Sequence, residues 1–171
     1  MIIRLLLRGI NPITNGGNQA NQWRTLTAIE WGYLFHTRTE ASSKFCAAKI
    51  NGIAGVVLLP DNWTLPSGCS FSAGMTSASS WDDWSLVVST NIYDANQWAA
   101  MEANGAVFLP AAGLRLGTGV SDVGSLGFYW SATLYDMDYA YNLFFSPEAL
   151  GPQNFSYPNA GQAIRLVRDV K

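Results

Sequence analysis

The order of apolar and polar positions along the chain changes period between its first two thirds and its last third. Met1-Ile2-Ile3-Arg4-Leu5-Leu6-Leu7-Arg8 reads as a first strand or as the edge of a truncated chain. Its apolar run is interrupted by Arg4 and is shorter than the roughly 7–15 residues of a signal-peptide core. Asn11-Pro12 to Asn18 is turn chemistry. Thr27-Ala28-Ile29-Glu30 then has the form of a capping box, in which the Thr27 hydroxyl and the Glu30 carboxylate satisfy each other's backbone N–H. Ile29, Trp31, Tyr33, Leu34, Phe35 and His36 predict a mostly buried helix of about ten residues behind it. The aliphatic run from Ile53 to Leu59, stopped by Pro60-Asp61-Asn62, predicts a core strand. Asp94, with Gln97 three residues on, predicts a second helix through Trp98 and Met101 to Asn104-Gly105.

Between these elements, Thr64 to Ser80 is rich in Ser, Gly and Thr and predicts an ordered loop anchored by Trp63, Phe71, Trp81 and Trp84. The last third alternates at strand period: Ala106–Ala112 with Pro110 at an edge, then Phe128–Thr133, Ala140–Ser146 and Gln162–Val167. Gly113 to Gly119 reads as a turn, and residues 153–159, dense in Asn, Ser, Pro and aromatics, as a loop exposed to a partner. Helices early and short strands late predict an α+β fold without βαβ alternation. No repeat or linker divides residues 1–171, so a single domain is expected.

Composition sharpens the last third. Only 13% of the 171 residues are charged and the net charge is −2, whereas aromatics make up another 13%. No basic run exists to meet phosphates, which argues against a nucleic-acid partner. No apolar run approaches the roughly 20 residues of a membrane span. Ten of the 22 aromatics fall between Phe128 and Tyr157, and no Lys or Arg stands between Arg115 and Arg165. Such a stretch is either dense core or binding surface. Alternation assigns Phe128, Trp130, Tyr141 and Phe145 to the core. It leaves Leu134, Tyr135, Asp136, Asp138, Tyr139, Asn142, Phe144, Ser146, Asn154, Phe155, Tyr157 and Asn159 as candidate ligand-binding residues. Tyr supplies contact area at low entropic cost, and Asn, Ser and Asp supply adaptable hydrogen bonds.

Catalytic chemistry finds little support in the sequence. The one histidine, His36, sits in the predicted helix, and no nucleophile elbow, phosphate loop, zinc-protease or dinucleotide motif occurs. Asp82-Asp83 falls short of the six to eight oxygens that calcium takes. Asp136 and Asp138 are the carboxylate pair that a glycosidase reading would need. Cys46 and Cys69 have no zinc-type spacing and are compatible with two free thiols or with a disulfide. No cofactor or metal is expected.

Several segments together carry a resemblance. They are Trp23-Arg24-Thr25-Leu26-Thr27 with Glu30-Trp31 and Tyr33-Leu34-Phe35, and Asn51-Gly52 with Gly55 to Asp61 and Trp63. Further on come Glu102 to Gly113, Gly127-Phe128-Tyr129-Trp130-Ser131, Pro152-Gln153, Gly161-Gln162 and Arg165 to Arg168. In this order, over residues 11–168, they resemble a large family of surface and phage proteins of gut Bacteroidetes. Its members include variable proteins of diversity-generating retroelements. The resemblance implies a C-type lectin-like fold related to formylglycine-generating enzyme, with two helices packed on short antiparallel sheets and a truncated N-terminal part. It also implies a variable binding segment at about residues 130–160.

Randomising adenines in an Asn codon yields Asn, Tyr, Ser, Asp, Phe, Leu, Gly or Pro among others, never Lys, Glu, Gln, Met or Trp. Between Leu134 and Ala160 only Met137, Glu148 and Gln153 depart from that set. The reactive cysteine pair of formylglycine-generating enzyme has no counterpart, since no cysteine follows Cys69. The sugar-binding motifs of calcium-dependent lectins are also absent. The expectation is a non-enzymatic receptor or adhesin of a cell surface or phage particle, with a protein or glycan ligand. The alternatives are a non-diversified structural domain of the same fold and, third, a glycan-active enzyme.

Overall fold

A computed structural model describes residues 23–76 and 83–168. The expected first strand, the 11–18 turn, Trp81 and Asp82 lie outside the described residues. The architecture is mixed α+β: two short helices and several small sheets, antiparallel but for one strand pair. Strand β1 (Arg24–Thr25) pairs antiparallel with β12 (Leu166–Val167), which brings the two ends of the described chain together. Arg168 lies 5.6 Å from the centre of the Trp23 ring, beside this pairing.

Helix α1 (Ala28–Gly32) begins with the capping box: Glu30 N donates to Thr27 Oγ1 at 3.2 Å and Thr27 N to Glu30 Oε2 at 2.8 Å. It continues as a π-helical turn over Tyr33–Thr37, so the helical run has the expected length. Its burial is narrower than expected. Trp31 and Phe35, four residues apart, stack with centroids 6.3 Å apart inside the core, while Ile29, Tyr33 and His36 are exposed. Residues two positions away lie about 200° round a helix, so only one of the two apolar pairs can face inward.

The second sheet has the order β4-β2-β3-β5, with β2 (Phe45–Ile50), β3 (Ile53–Leu58), β4 (Ile92–Tyr93) and β5 (Val107–Pro110). Asn51 and Gly52 both take positive φ, 50° and 81°, the backbone of a tight hairpin turn. Both faces of this sheet are buried. Ala47, Val56, Leu58 and Leu109 join Trp31, Phe35, Trp84, Leu143 and Phe145 on one side. Cys46, Ala48, Ile50 and Val57 join Tyr93 and Met101 on the other. Helix α2 (Ala95–Ala103) is capped by Asp94 and Gln97 as expected. Trp63 and Phe71 anchor the loop between β3 and β4 against the second cluster. Both cysteines are free, and burial pushes the Cys46 thiol up to about 12.

Residues 113–119, expected as a turn, open a hairpin of β6 (Leu114–Leu116) and β7 (Gly119–Ser121), with β11 (Ala160–Gly161) beside β6. The remaining sheet, β8 (Gly127–Leu134), β9 (Ala140–Phe145) and β10 (Leu150–Ser156), has β9 at its centre. Much of the expected 153–159 loop is therefore strand. Pro152 is accommodated where the β10–β9 register shifts between Gly151 and Asn154, a position that needs no ladder N–H. The expected 162–167 strand is reduced to β12 and a bridge from Ala163 to Tyr129.

Candidate functional site: an uncovered aromatic end of the β8–β10 sheet

Strand β9 carries one continuous stripe. Side chains alternate across a strand, so Tyr139, Tyr141, Leu143 and Phe145 share a face. Helix α1 packs against all three strands on that face, and Gln153 Nε2 reaches its Ala28 carbonyl at 3.4 Å. Leu143 and Phe145 are fully buried there, with Tyr129 stacked on Phe145 and Trp84 edge-on to it.

At the other end the stripe runs out from beneath its cover. The edge of the cover is held by Ala28 N, which donates to Thr133 Oγ1 at 3.1 Å. Just beyond Thr133, the β8–β9 loop and the end of β10 bring five rings together. Tyr135 stacks on Phe155 with centroids 4.5 Å apart and planes 17° apart, and meets Tyr141 edge-on at 5.1 Å. Tyr139 meets Phe155 at 5.4 Å and Tyr157 at 4.5 Å, and the Tyr139 and Tyr157 hydroxyls lie 2.8 Å apart. Leu134, Tyr135, Phe155 and Tyr157 remain exposed, Tyr157 to 59%. Tyr139 is held above the ordinary phenol range, first by its hydrogen bond with Tyr157, then by partial burial and by the negative charges of Asp136 and Asp138.

Asp136 shapes the loop that carries Tyr135 and Tyr139. Its Oδ1 accepts from Asp138 N at 2.8 Å and Tyr139 N at 2.9 Å, closing a tight Asx-type turn. Met137, at the loop tip, is 98% exposed. Asp138 is exposed beside it, and Asn159 is exposed in the turn after Tyr157.

Four of the sequence-derived candidates belong elsewhere. Asn142, Phe144 and Asn154 lie on the opposite face of the sheet. Asn142 is 0% exposed, flanked by Trp130 on β8 and Asn154 on β10. Its amide donates to Ser156 Oγ at 2.7 Å and Gln162 Oε1 at 2.9 Å and accepts from Asn154 Nδ2 at 2.9 Å. It is a satisfied polar residue in the interior, not a ligand contact. Phe144 is half-buried against Phe128 at 5.2 Å. Ser146 is buried, and its hydroxyl accepts from Ala149 N in the turn between β9 and β10. Tyr141 moves the other way: assigned to core by alternation, it is half-buried and joins the exposed rings.

The described cavities lie apart from this patch. One of about 280 Å³ is lined by Trp31, Leu34, Leu58 and Leu166, and another of about 380 Å³ by Met75, Leu86 and Asn91. Among the described residues, no group of three or more His, Cys, Asp or Glu is placed to hold a metal ion, and no helix is long and apolar enough to cross a membrane. No protein-family model, curated protein or solved structure matches the chain.

Proposed function

We propose that this chain is a ligand-binding receptor or adhesin with a C-type lectin-like fold, displayed on a cell surface or phage particle, and that its binding face is a segment diversified by a retroelement. The observation that carries the reading is the patch of Tyr135, Tyr139, Tyr141, Phe155 and Tyr157. Large aromatic side chains are left half-exposed and clustered, although a well-packed core lies on the same stripe of the same sheet. Contiguous exposed apolar surface of this kind marks interaction sites, and Tyr with Asp and Asn is the composition of an adaptable paratope. The pairing of β1 with β12, the two helices and the small sheets are compatible with the lectin-like scaffold.

The test is binding of the purified chain to protein and glycan arrays, with Tyr135→Ala and Phe155→Ala as comparators. A signal lost by at least about tenfold in both variants, as expected when a central aromatic contact is removed, supports the patch. Signals indifferent to both substitutions refute it. Diversification is tested separately in the neighbouring DNA. The expected finding is a near-identical template repeat with adenine-specific mismatches, beside a reverse transcriptase gene.

A further inference from the structure

The patch has a charge as well as a shape. The β8–β9 loop carries two carboxylates, Asp136 and Asp138, on either side of the fully exposed Met137. Asp136 uses Oδ1 for both of its turn hydrogen bonds, and Asp138 contributes only its backbone N–H to them. The chain supplies no cation from Leu116 to Ile164. The described ion pairs, Arg24–Glu30, Arg38–Asp61 and Lys44–Asp61, are all elsewhere. Among the described residues neither carboxylate has an ion-pair partner, so the loop sets negative charge beside the rings of four tyrosines and a phenylalanine.

Resting on the binding role assigned to this patch, we propose that its partner is a polypeptide surface presenting arginine. A guanidinium stacks on aromatic faces and bonds carboxylates bidentately, which an ammonium does less well. The patch lies apart from the described cavities, with one stacked ring pair and the other rings edge-on or tilted around it, so a small cation would stay largely in water. An arginine carried on a polypeptide can bury the surrounding aromatic area at the same time. Asp136 and Asp138 then set orientation and on-rate, and the rings supply most of the affinity.

The experiment measures fluorescence anisotropy of labelled hexa-arginine, hexa-lysine, hexa-asparagine and hexa-glutamate peptides with the full chain and three variants. In Asp136→Asn/Asp138→Asn the Asn side chain at 136 still offers a carbonyl to the turn, so charge is removed without the acceptor. Asp138→Asn alone spares the turn entirely, and Tyr135→Ala/Phe155→Ala removes the stacked pair. The expected result is binding in the order arginine, lysine, asparagine, with no binding of glutamate. It should weaken about tenfold in the charge variant, severalfold in Asp138→Asn and beyond detection in the aromatic variant. It should also weaken as salt rises.

Equal hexa-arginine binding by the aromatic variant would mean nonspecific attraction and overturn the proposal. So would absence of hexa-arginine binding. Array hits on a neutral glycan or acidic protein that vanish in Tyr135→Ala but survive Asp136→Asn/Asp138→Asn would overturn the arginine partner while leaving the patch as a binding face.

Discussion

The two ends of the β9 stripe are built from the same residue types and meet opposite fates. At one end, Phe145 is 0% exposed, with Tyr129 stacked on it and Trp84 edge-on. At the other, Tyr139 and Tyr141 pack just as closely against neighbouring rings, yet Tyr135, Phe155 and Tyr157 around them are open to solvent. The difference lies in the opposing layer. Helix α1 and the β2–β3–β5 sheet cover Leu143 and Phe145, and α1 begins at Ala28, beside Thr133. Aromatic density along a strand records how much ring area is present. Whether that area becomes core or contact surface depends on where the covering element stops.

The largest effect that sharpens this contrast is at the covered end. Gly127 is opposite Phe145 in the β8–β9 ladder, and a Cβ built on it would overlap the Phe145 ring. Phe145→Ala should cost about 3–5 kcal/mol of unfolding free energy, the range for emptying an aromatic core site. Gly127→Ala alone should cost about 1–3 kcal/mol through overpacking. In the Phe145→Ala background the same glycine substitution should cost much less, because the ring it strikes has gone. Urea unfolding of the four proteins measures this coupling. Additive losses would mean that Gly127 does not make room for the ring.

This contrast also explains how far the sequence could be read. Both capping boxes were legible because a cap is a local bargain among four residues, and Thr27/Glu30 and Asp94/Gln97 form as their spacing predicts. β3 was legible from its aliphatic run. β2 was not, since Ala47 and Ala48 carry little strand signal, although Asn51-Gly52 is a hairpin turn that could have announced it. The exposure of Tyr135, Phe155 and Tyr157 agrees with the reading from composition. Asn142 and Ser146 were misplaced, because an asparagine that faces solvent and one that bridges Ser156, Gln162 and Asn154 look identical in sequence. Tyr141 was misplaced for the converse reason: its face is the core face, but the cover over that face ends before reaching it.

The cover itself can be weakened by pH. Arg24 hydrogen-bonds the Glu30 carboxylate at 2.6 and 2.8 Å, and with the Thr27 contacts this outweighs burial and holds the group at about 2. Its folded-state value lies below the ordinary 4.5, so its contribution is complete above pH 4.5 and is lost as pH falls from there towards 2. The side chain is 34% exposed, so solvent screening reduces that contribution to about 1 kcal/mol. Glu30→Gln keeps a side chain that can complete the cap but removes the charge. It should lower stability by about 1 kcal/mol at pH 7 and by almost nothing at pH 2. Asp61 and Asp83 are also held low, first by hydrogen bonds from Lys44 and Ser85 respectively, and they titrate in both proteins. The informative quantity is therefore the difference between wild type and variant at each pH. A gap that persists undiminished at pH 2 would assign the loss to shape instead of charge.

The smallest expected stability effect is at the uncovered end. Tyr135 and Phe155 are stacked at 4.5 Å, and such a pair is worth about 0.5–1.5 kcal/mol beyond the area it buries. Both rings remain nearly half-exposed, so removing either forfeits little burial and leaves no enclosed cavity. Phe155→Ala should therefore cost less than about 1 kcal/mol, several times less than Phe145→Ala on the same sheet, and Tyr135→Ala about the same. Tyr135→Ala/Phe155→Ala should cost less than the sum of the two single losses, because each single substitution already breaks the stack. Denaturant unfolding of these three variants beside Phe145→Ala puts both ends on one scale. A loss of 3 kcal/mol or more at Phe155 would make the two ends energetically alike, and the exposed rings would then have to be counted as part of the core.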